Sequence, residues 1–343
     1  MIRKFFSKIF SSEKASIIFP ESCLLTVSNA CHMKCLMCDL WKQGELPEDI
    51  EINDAKKFIT DLNAYCDKPV ELHLIGGETF CKEGIFDLIK TAKESGSRVV
   101  ATSSGYPITK NCAEEIGKSG IHFLNLSIDS LTPEVHDFMR GVKGAHAKVM
   151  RAVENMREFA PDVELAVNTI IAKPNLKGII ELAKWVNEKD FFIQIYFMAV
   201  MKPFASDLGD DWFQTERGRV LWPDDSVEVN EVLDELIELK KGGLKIGNSV
   251  TQFDVFRKYF DDPRRKIREK GCPLGMHAIN VNAHGDAYIC FFKDKLGNIK
   301  EDSVEQLWDS ERSSKVREKM KDCNCNCELV VNCYYEEHIP IVW

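Results

Sequence analysis

No apolar run in the 343 residues approaches the ~20 that a helix needs to cross a bilayer. The start of the chain lacks the apolar core and small-residue cleavage site of a secretory signal. Positive charge is scarce as well. The 45 Lys and Arg are outnumbered by 54 Asp and Glu, giving a net charge of −9. Without a basic surplus the phosphate neutralisation behind nucleic-acid binding is missing, so no nucleic-acid partner is expected. There is no internal repeat and no low-complexity segment. What is abundant is apolar character, at 44% of residues, and cysteine, at 13. That is enough for one large core and a smaller second unit. The expected location is the cytoplasm, where thiols stay reduced and grouped cysteines read as metal ligands rather than disulfides.

The opening "MIRKFFSKIF" places Ile2, Phe5, Phe6, Ile9 and Phe10 at helical spacing, with Arg3, Lys4 and Lys8 between them. Such a basic amphipathic helix suits weak contact with a membrane surface. The plainer readings are a helix packing on its own domain or a frayed terminus.

Six β-rich runs recur at fairly even intervals, at residues 23–28, 70–77, 98–105, 122–129, 163–171 and 191–200. Several are almost continuously apolar, as strands buried on both faces are. Helical patterns such as "INDAKKFITDLNAY" and "LKGIIELAKWVNE" separate them. The alternation predicts parallel strands with helical crossovers. Six units rather than eight suggest an α/β fold built as a partial (β/α)6 TIM-like barrel; an open doubly wound sheet is the alternative. The expected divisions are an N-terminal amphipathic segment at 1–20, the barrel at 21–204, a linker with helical content at 205–269, and a small α+β, cysteine-rich domain at 270–343. Here "SVEVNEVLDELIELKKGG" reads as a helix stopped by Gly242 and Gly243, 202–225 reads as loop-like, and "RKYFDDPRRKIREKG" is a charged stretch leading to the cysteine-rich tail.

Cys31, Cys35 and Cys38 follow the first strand as C-x3-C-x2-C. Soft thiolates so closely spaced select zinc or an iron–sulfur cluster. With His32 as a fourth ligand the group would be a zinc site. With three ligands on a 4Fe–4S cluster, one iron stays open to bind something else. Other polar groups fall where the strands end: Gly76, Gly77 and Glu78 after the second, Thr102, Ser103 and Ser104 at the third, Ser127 and Asp129 at the fourth, and Asn168 on the fifth. In parallel β/α folds the carboxyl ends of the strands carry the functional groups.

This ordered set resembles the radical S-adenosylmethionine (SAM) enzymes, whose C-x3-C-x2-C signature lies after the first strand of a partial barrel. The resemblance implies a 4Fe–4S cluster on Cys31, Cys35 and Cys38, with SAM completing the open iron through its amino and carboxylate groups. Reductive cleavage of SAM then yields a 5′-deoxyadenosyl radical that abstracts a hydrogen atom from substrate. It further implies that Gly76, Gly77 and Glu78 approach SAM, Glu78 receiving its amino group. Thr79 replaces the usual proline after this triplet. By the same resemblance Ser103, Ser127, Asp129 and Asn168 contribute polar contacts to SAM, and Met37 lies against its adenine. A low-potential electron donor such as a flavodoxin or ferredoxin is implied too. Cys81, three residues past Glu78, is a candidate hydrogen donor to a substrate radical. Cys23, Cys66 and Cys112 read as structural.

The tail adds Cys272, Cys290, Cys323, Cys325, Cys327 and Cys333. "AINVNAHGDAYIC" reads as a hairpin turning at His284, Gly285 and Asp286, and "SVEQLWDSERSSKVREKM" as one helix started by a Ser303/Gln306 capping box. The layout resembles the SPASM/twitch extension of radical SAM enzymes, which carries auxiliary 4Fe–4S clusters. The terminal C-x-C-x-C-x5-C departs from the full SPASM spacing, and one auxiliary cluster is expected. Its ligands would be Cys272, Cys290 and two of Cys323, Cys325 and Cys327, with Cys333 in reserve. A zinc knuckle is the competing reading.

The function these features suggest is hydrogen abstraction from a substrate not identified by sequence. The outcome would be oxidation or rearrangement of a small molecule, or modification of a ribosomally made peptide. With its first strand near residue 23, the chain is expected to lack the N-terminal peptide-binding domain that peptide-modifying relatives often carry. A non-catalytic iron–sulfur redox sensor or electron carrier is the alternative from another class. Trp212, Trp222 and Tyr259 are expected to line the substrate pocket, and Lys202, Arg217 or Arg219 to meet an anionic substrate.

Overall fold

The computed structural model describes residues 19–332, apart from 45, 47, 48 and 268–271. The amphipathic stretch at 2–10 and Cys333 lie outside the described residues. The six expected strands form in order: β1 (Ser22–Thr26), β2 (Glu71–Ile75), β3 (Arg98–Ser103), β4 (Phe123–Ser127), β5 (Glu164–Ile171) and β6 (Phe192–Ala199). All pair in parallel, each with its neighbour in sequence. A doubly wound sheet reverses its strand order at a switch point. None occurs here, so the partial barrel is the architecture and the open-sheet alternative falls.

The strand registers separate two faces. The outer face, with Leu25, Leu72, Leu74, Ala101, Leu124, Leu126 and Val167, packs on the flanking helices to form the main hydrophobic core. The inner face is different. Among the described residues Val100, Phe123 and Ala166 make a small apolar floor there. Toward the carboxyl ends the registers align Thr102 with Asn125, and Ser127 with Asn168 and Tyr196. The chain therefore covers its outer strand face with helices and keeps polar groups for the barrel interior.

The tail does not stand apart from this sheet. β7 (Ala278–Val281) pairs in parallel with β1, and β8 (Asp286–Tyr288) and β9 (Gly297–Asn298) follow as antiparallel strands. Among the described residues the sheet has nine strands in the order β6-β5-β4-β3-β2-β1-β7-β8-β9. The predicted hairpin is present, but its first strand also covers the β1 edge, whose N–H and C=O groups would otherwise lie unpaired.

The opposite edge, β6, is closed by a short backbone bridge between Ile195 and Ile246 and by side chains. The Asn248 amide accepts from Phe197 N and donates to Phe197 O, both at 2.8 Å. Asn332 does the same at Ala199, accepting at 2.7 Å and donating at 3.1 Å. Each amide imitates a strand. Asn332 is thereby the pin that holds the tail to the barrel, helped by Tyr196 Oη and Gln252 Nε2 donating to its carbonyl. Asn332→Ala leaves both backbone groups of the buried Ala199 unpaired. It is expected to cost about 1–3 kcal/mol, and limited proteolysis of the tail should accelerate; an unchanged digestion rate would remove the pin from the account.

Two sequence expectations need revision. The single helix drawn through residues 303–320 is two, Val304–Trp308 and Glu311–Lys321, because Ser310 caps the second by accepting from Ser313 N at 3.1 Å. The Ser303/Gln306 capping box is present on the first. The stretch expected to be loop-like at 202–225 contains the helix Glu216–Leu221, and the linker adds the helix Val250–Asp261, which buries Phe253, Phe256, Tyr259 and Phe260. Among the described residues no helix is long and apolar enough to cross a membrane.

Candidate functional site

The loop after β1 is held from three sides. From β2, Gly77 N donates to Ser28 O and Glu78 N to Ala30 O, extending the strand pairing into the loop. From the end of the helix Pro133–Arg140, the carbonyls of Met139 and Arg140, which have no partner within the helix, accept from Leu36 N and Lys34 N. From the segment that follows β6, Phe204 pairs with the backbone of Met37 and Asp39. Gly76 and Gly77 are required by the first of these contacts. A Cβ on Gly77 would lie 2.3 Å from Ala30 O, and one on Gly76 2.3 Å from Ser28 O. The close approach visible here is to the cysteine loop itself.

Cys31, Cys35 and Cys38 come within electrostatic reach of one another. Burial pushes the thiols of Cys31 and Cys38 up to about 12, and that of Cys35 upward against the pull of Arg140. Buried thiols of this kind keep their protons until a cation replaces them. Sulfur acceptors are already provided for: Met33 N donates to Cys31 Sγ and Leu40 N to Cys38 Sγ, each at 3.4 Å, and Arg140 Nη1 stands 4.0 Å from Cys35 Sγ.

Glu78 is almost fully buried, and its carboxylate is already occupied. Oε1 accepts from Ser103 Oγ at 2.8 Å and Phe80 N at 3.4 Å; Oε2 accepts from Ser104 N at 2.9 Å and from Ser104 Oγ. In this arrangement Glu78 and Ser103 bridge the ends of β2 and β3. Asp129, fully buried, forms an ion pair with Arg140 (Nε to Oδ2, 2.7 Å) and accepts from Ile170 N. Asp129 thus aims a guanidinium at Cys35. Ser127 is partly exposed at the rim of the inner face beside Asn168, whose buried Oδ1 has no hydrogen-bond partner among the described residues. Met37 is buried in the core, 8% exposed. Cys81 is exposed, its Sγ 3.3 Å from His32 Nδ1, and His32 stacks on Tyr106.

In the tail, Cys290 lies within electrostatic reach of Cys272 and Cys323, and Cys327 within reach of Cys290 and Cys272. Cys325 is exposed and lies beside Cys323. The geometry therefore gathers Cys272, Cys290, Cys323 and Cys327, and leaves Cys325 at the margin.

Three expectations for the pocket are corrected. Trp212 and Tyr259 are buried and interlock with Trp222, Phe213 and Phe260 in an aromatic cluster rather than lining a cavity. Arg217 grips the cysteine loop instead of facing solvent for an anion. Lys202 and Arg219 are exposed. Two groups have no readable signal in the sequence, Arg140, which looks like an ordinary cation in the last turn of a helix, and Glu328; Arg217 reads there only as a cation for an anionic substrate. The Glu328 carboxyl is within electrostatic reach of Cys38 and Tyr259, has no partner among the described residues, and is pushed by burial up to about 7.

Three thiols on a strand-end loop, backbone donors on their sulfurs, a guanidinium beside one of them and an orphaned amide oxygen in the interior fit a thiolate-held cluster with a polar organic ligand. The chain belongs to the radical SAM superfamily: residues 25–186 match that family, and residues 272–334 match its SPASM iron–sulfur cluster-binding domain. It is an enzyme of this class and uses SAM and 4Fe–4S clusters. It is 25% identical over 306 residues to the AdoMet-dependent heme synthase of Methanosarcina barkeri (strain Fusaro / DSM 804), covering 85% of this chain and 82% of that one. It is 22% identical to the sporulation killing factor maturation protein SkfB of Bacillus subtilis (strain 168), covering 89% and 69%. Its fold is shared with Streptococcus suis SuiB bound to S-adenosylmethionine, at a TM-score of 0.67 and 16% identity over 87% of this chain and 68% of that chain. It is shared also with anSMEcpe with bound AdoMet and a peptide, at 0.65 and 17% over 92% and 88%.

Proposed function

We propose that this enzyme abstracts a hydrogen atom from a small polar substrate held at the rim of the barrel's inner face, and that the product is oxidised. When bound, the cofactors supply a 5′-deoxyadenosyl radical at the barrel loop and an electron sink in the tail. Cys31, Cys35 and Cys38 would hold the first cluster; Cys272, Cys290, Cys323 and Cys327 would hold the auxiliary one. Arg140, fixed by Asp129, offers positive charge beside Cys35 for a carboxylate. Ser127 and Asn168 offer hydrogen bonds from the rim. Cys81 stays a candidate hydrogen donor, and a flavodoxin- or ferredoxin-like reductant is the expected electron source.

The observation that carries the reading is the polar inner face with the unpaired Asn168 oxygen. A buried acceptor without a partner costs free energy unless a ligand supplies the donor. The heme synthase relative, matched across most of both chains, supports a small organic substrate. The likeness to the killing-factor maturation protein over 89% of this chain favours a second reading, a peptide substrate.

The test is release of 5′-deoxyadenosine by anaerobically reconstituted, reduced protein, supplied separately with the small-molecule and the peptide fractions of source-cell extract. Release should depend on Cys35, be absent in Cys35→Ala, and rise with the small-molecule fraction. Stimulation by the peptide fraction alone would replace the first reading by the second. No release from protein that holds its clusters would return the redox-sensor alternative.

A further inference from the structure

Arg217 belongs to the helix Glu216–Leu221 of the linker, 178 residues beyond Asp39. Its guanidinium is spent entirely on the cysteine loop. Nε donates to Leu36 O at 2.6 Å, Nη1 to both carboxylate oxygens of Asp39 at 2.9 Å, and Nη2 to Cys38 O at 3.3 Å and Cys35 O at 3.5 Å. Three carbonyls within four residues are thus collected by one side chain, and two of them belong to Cys35 and Cys38. Asp39 is itself fixed by a second cation: Lys42 Nζ lies 2.8 Å from its Oδ1. Its backbone N–H donates to Phe204 O at 2.7 Å.

We propose that Arg217 is a positioning residue for the SAM-binding cluster, a clamp through which the linker sets the geometry of the C-x3-C-x2-C loop. In a trans peptide the carbonyl and the following N–H point to opposite sides. Gripping the carbonyls of Cys35, Leu36 and Cys38 therefore fixes the orientation of the peptide units that carry two of the three thiols. Only a planar fork of five donors can serve three carbonyls and a carboxylate together; a lysine ammonium reaches at most some of them. Asp39 neutralises the guanidinium, so the clamp acts through geometry more than through charge. The inference rests on Cys31, Cys35 and Cys38 being the cluster ligands, as the proposed function has it.

The test uses the reconstituted full chain and follows iron release to a chelator, together with the line shape of the reduced cluster by electron paramagnetic resonance. The variants are Arg217→Ala, Arg217→Lys, Asp39→Asn and the triple replacement of Cys31, Cys35 and Cys38 by alanine. The triple variant defines the share of iron that belongs to the barrel loop. That share should leave Arg217→Ala on the order of 10- to 100-fold faster than wild type, as loss of partners outside the ligand set does at other metal sites. Arg217→Lys, which keeps the charge and much of the stem, should recover only part of the retention, and its line shape should differ from wild type. Asp39→Asn keeps the carbonyl contacts, so it should stay closer to wild type in release rate. Wild-type release from Arg217→Lys would overturn the clamp and also answers the case in which Arg217→Ala fails to fold. A triple variant that holds as much iron as wild type would instead overturn the ligand assignment.

Discussion

Arg140→Met is expected to cost about 3–5 kcal/mol of stability, the penalty for leaving one member of a buried ion pair without the other. Asp129 is fully buried and Arg140 nearly so, with Nε 2.7 Å from Oδ2. Methionine fills most of the arginine stem's volume but offers no donor, so the Asp129 carboxylate keeps only Ile170 N. The same substitution removes the guanidinium beside Cys35 Sγ. Stability and chemistry can be separated by the double variant Arg140→Met/Asp129→Asn. Neutralising the stranded carboxylate should restore most of the lost thermal stability, because an isolated buried charge is what costs the most. Release of 5′-deoxyadenosine should remain lost in the double variant, since the guanidinium beside Cys35 Sγ is gone. A double variant that recovers both would reduce Arg140 to a structural partner of Asp129.

Gly77→Ala is expected to abolish the barrel cluster, because the added methyl has nowhere to go. Its Cβ would lie 2.3 Å from Ala30 O, 2.5 Å from Asn29 O and 2.6 Å from Ala30 C. All three are backbone atoms, and none can swing away as the end of a flexible side chain would. Relief requires the segment just before Cys31 to move off β2, breaking the hydrogen bonds from Gly77 N to Ser28 O and from Glu78 N to Ala30 O. Forcing a methyl into a packed site typically costs about 1–3 kcal/mol. A thiol displaced by about an ångström also no longer fits its iron. Iron and acid-labile sulfide should therefore fall by the share of the barrel cluster while the tail cluster persists, and 5′-deoxyadenosine release should fall to the level of Cys35→Ala. A Gly77→Ala protein with wild-type iron content would show that the loop relaxes without losing its ligands.

The six strand–helix units were legible in the sequence because each is written in local steric and hydrophobic periodicity. The apolar runs matched β1 to β6 within about two residues at their ends, which is where fraying blurs any boundary. The ligand spacing at residues 31–38, the hairpin at Gly285 and the Ser303/Gln306 capping box are equally local, and each was readable from a few consecutive residues. Function at the strand ends followed from topology: once the strands are parallel, Glu78, Ser103, Ser127 and Asp129 must gather at one rim.

What only the tertiary structure decided are the pairings between distant residues. Arg217 finds Asp39 across 178 positions, Asn332 finds Ala199 across 133, and β7 finds β1 across about 250 residues of chain. No periodicity encodes such partners; they meet because packing leaves one edge, one carboxylate or one row of carbonyls unsatisfied and another segment ends within reach. For the same reason the spacing of Cys323, Cys325 and Cys327 could not rank them. Three thiols two residues apart are equivalent in sequence, and only the path of the chain between Met320 and Asn332 turns Cys323 and Cys327 toward Cys272 and Cys290 and leaves Cys325 facing solvent.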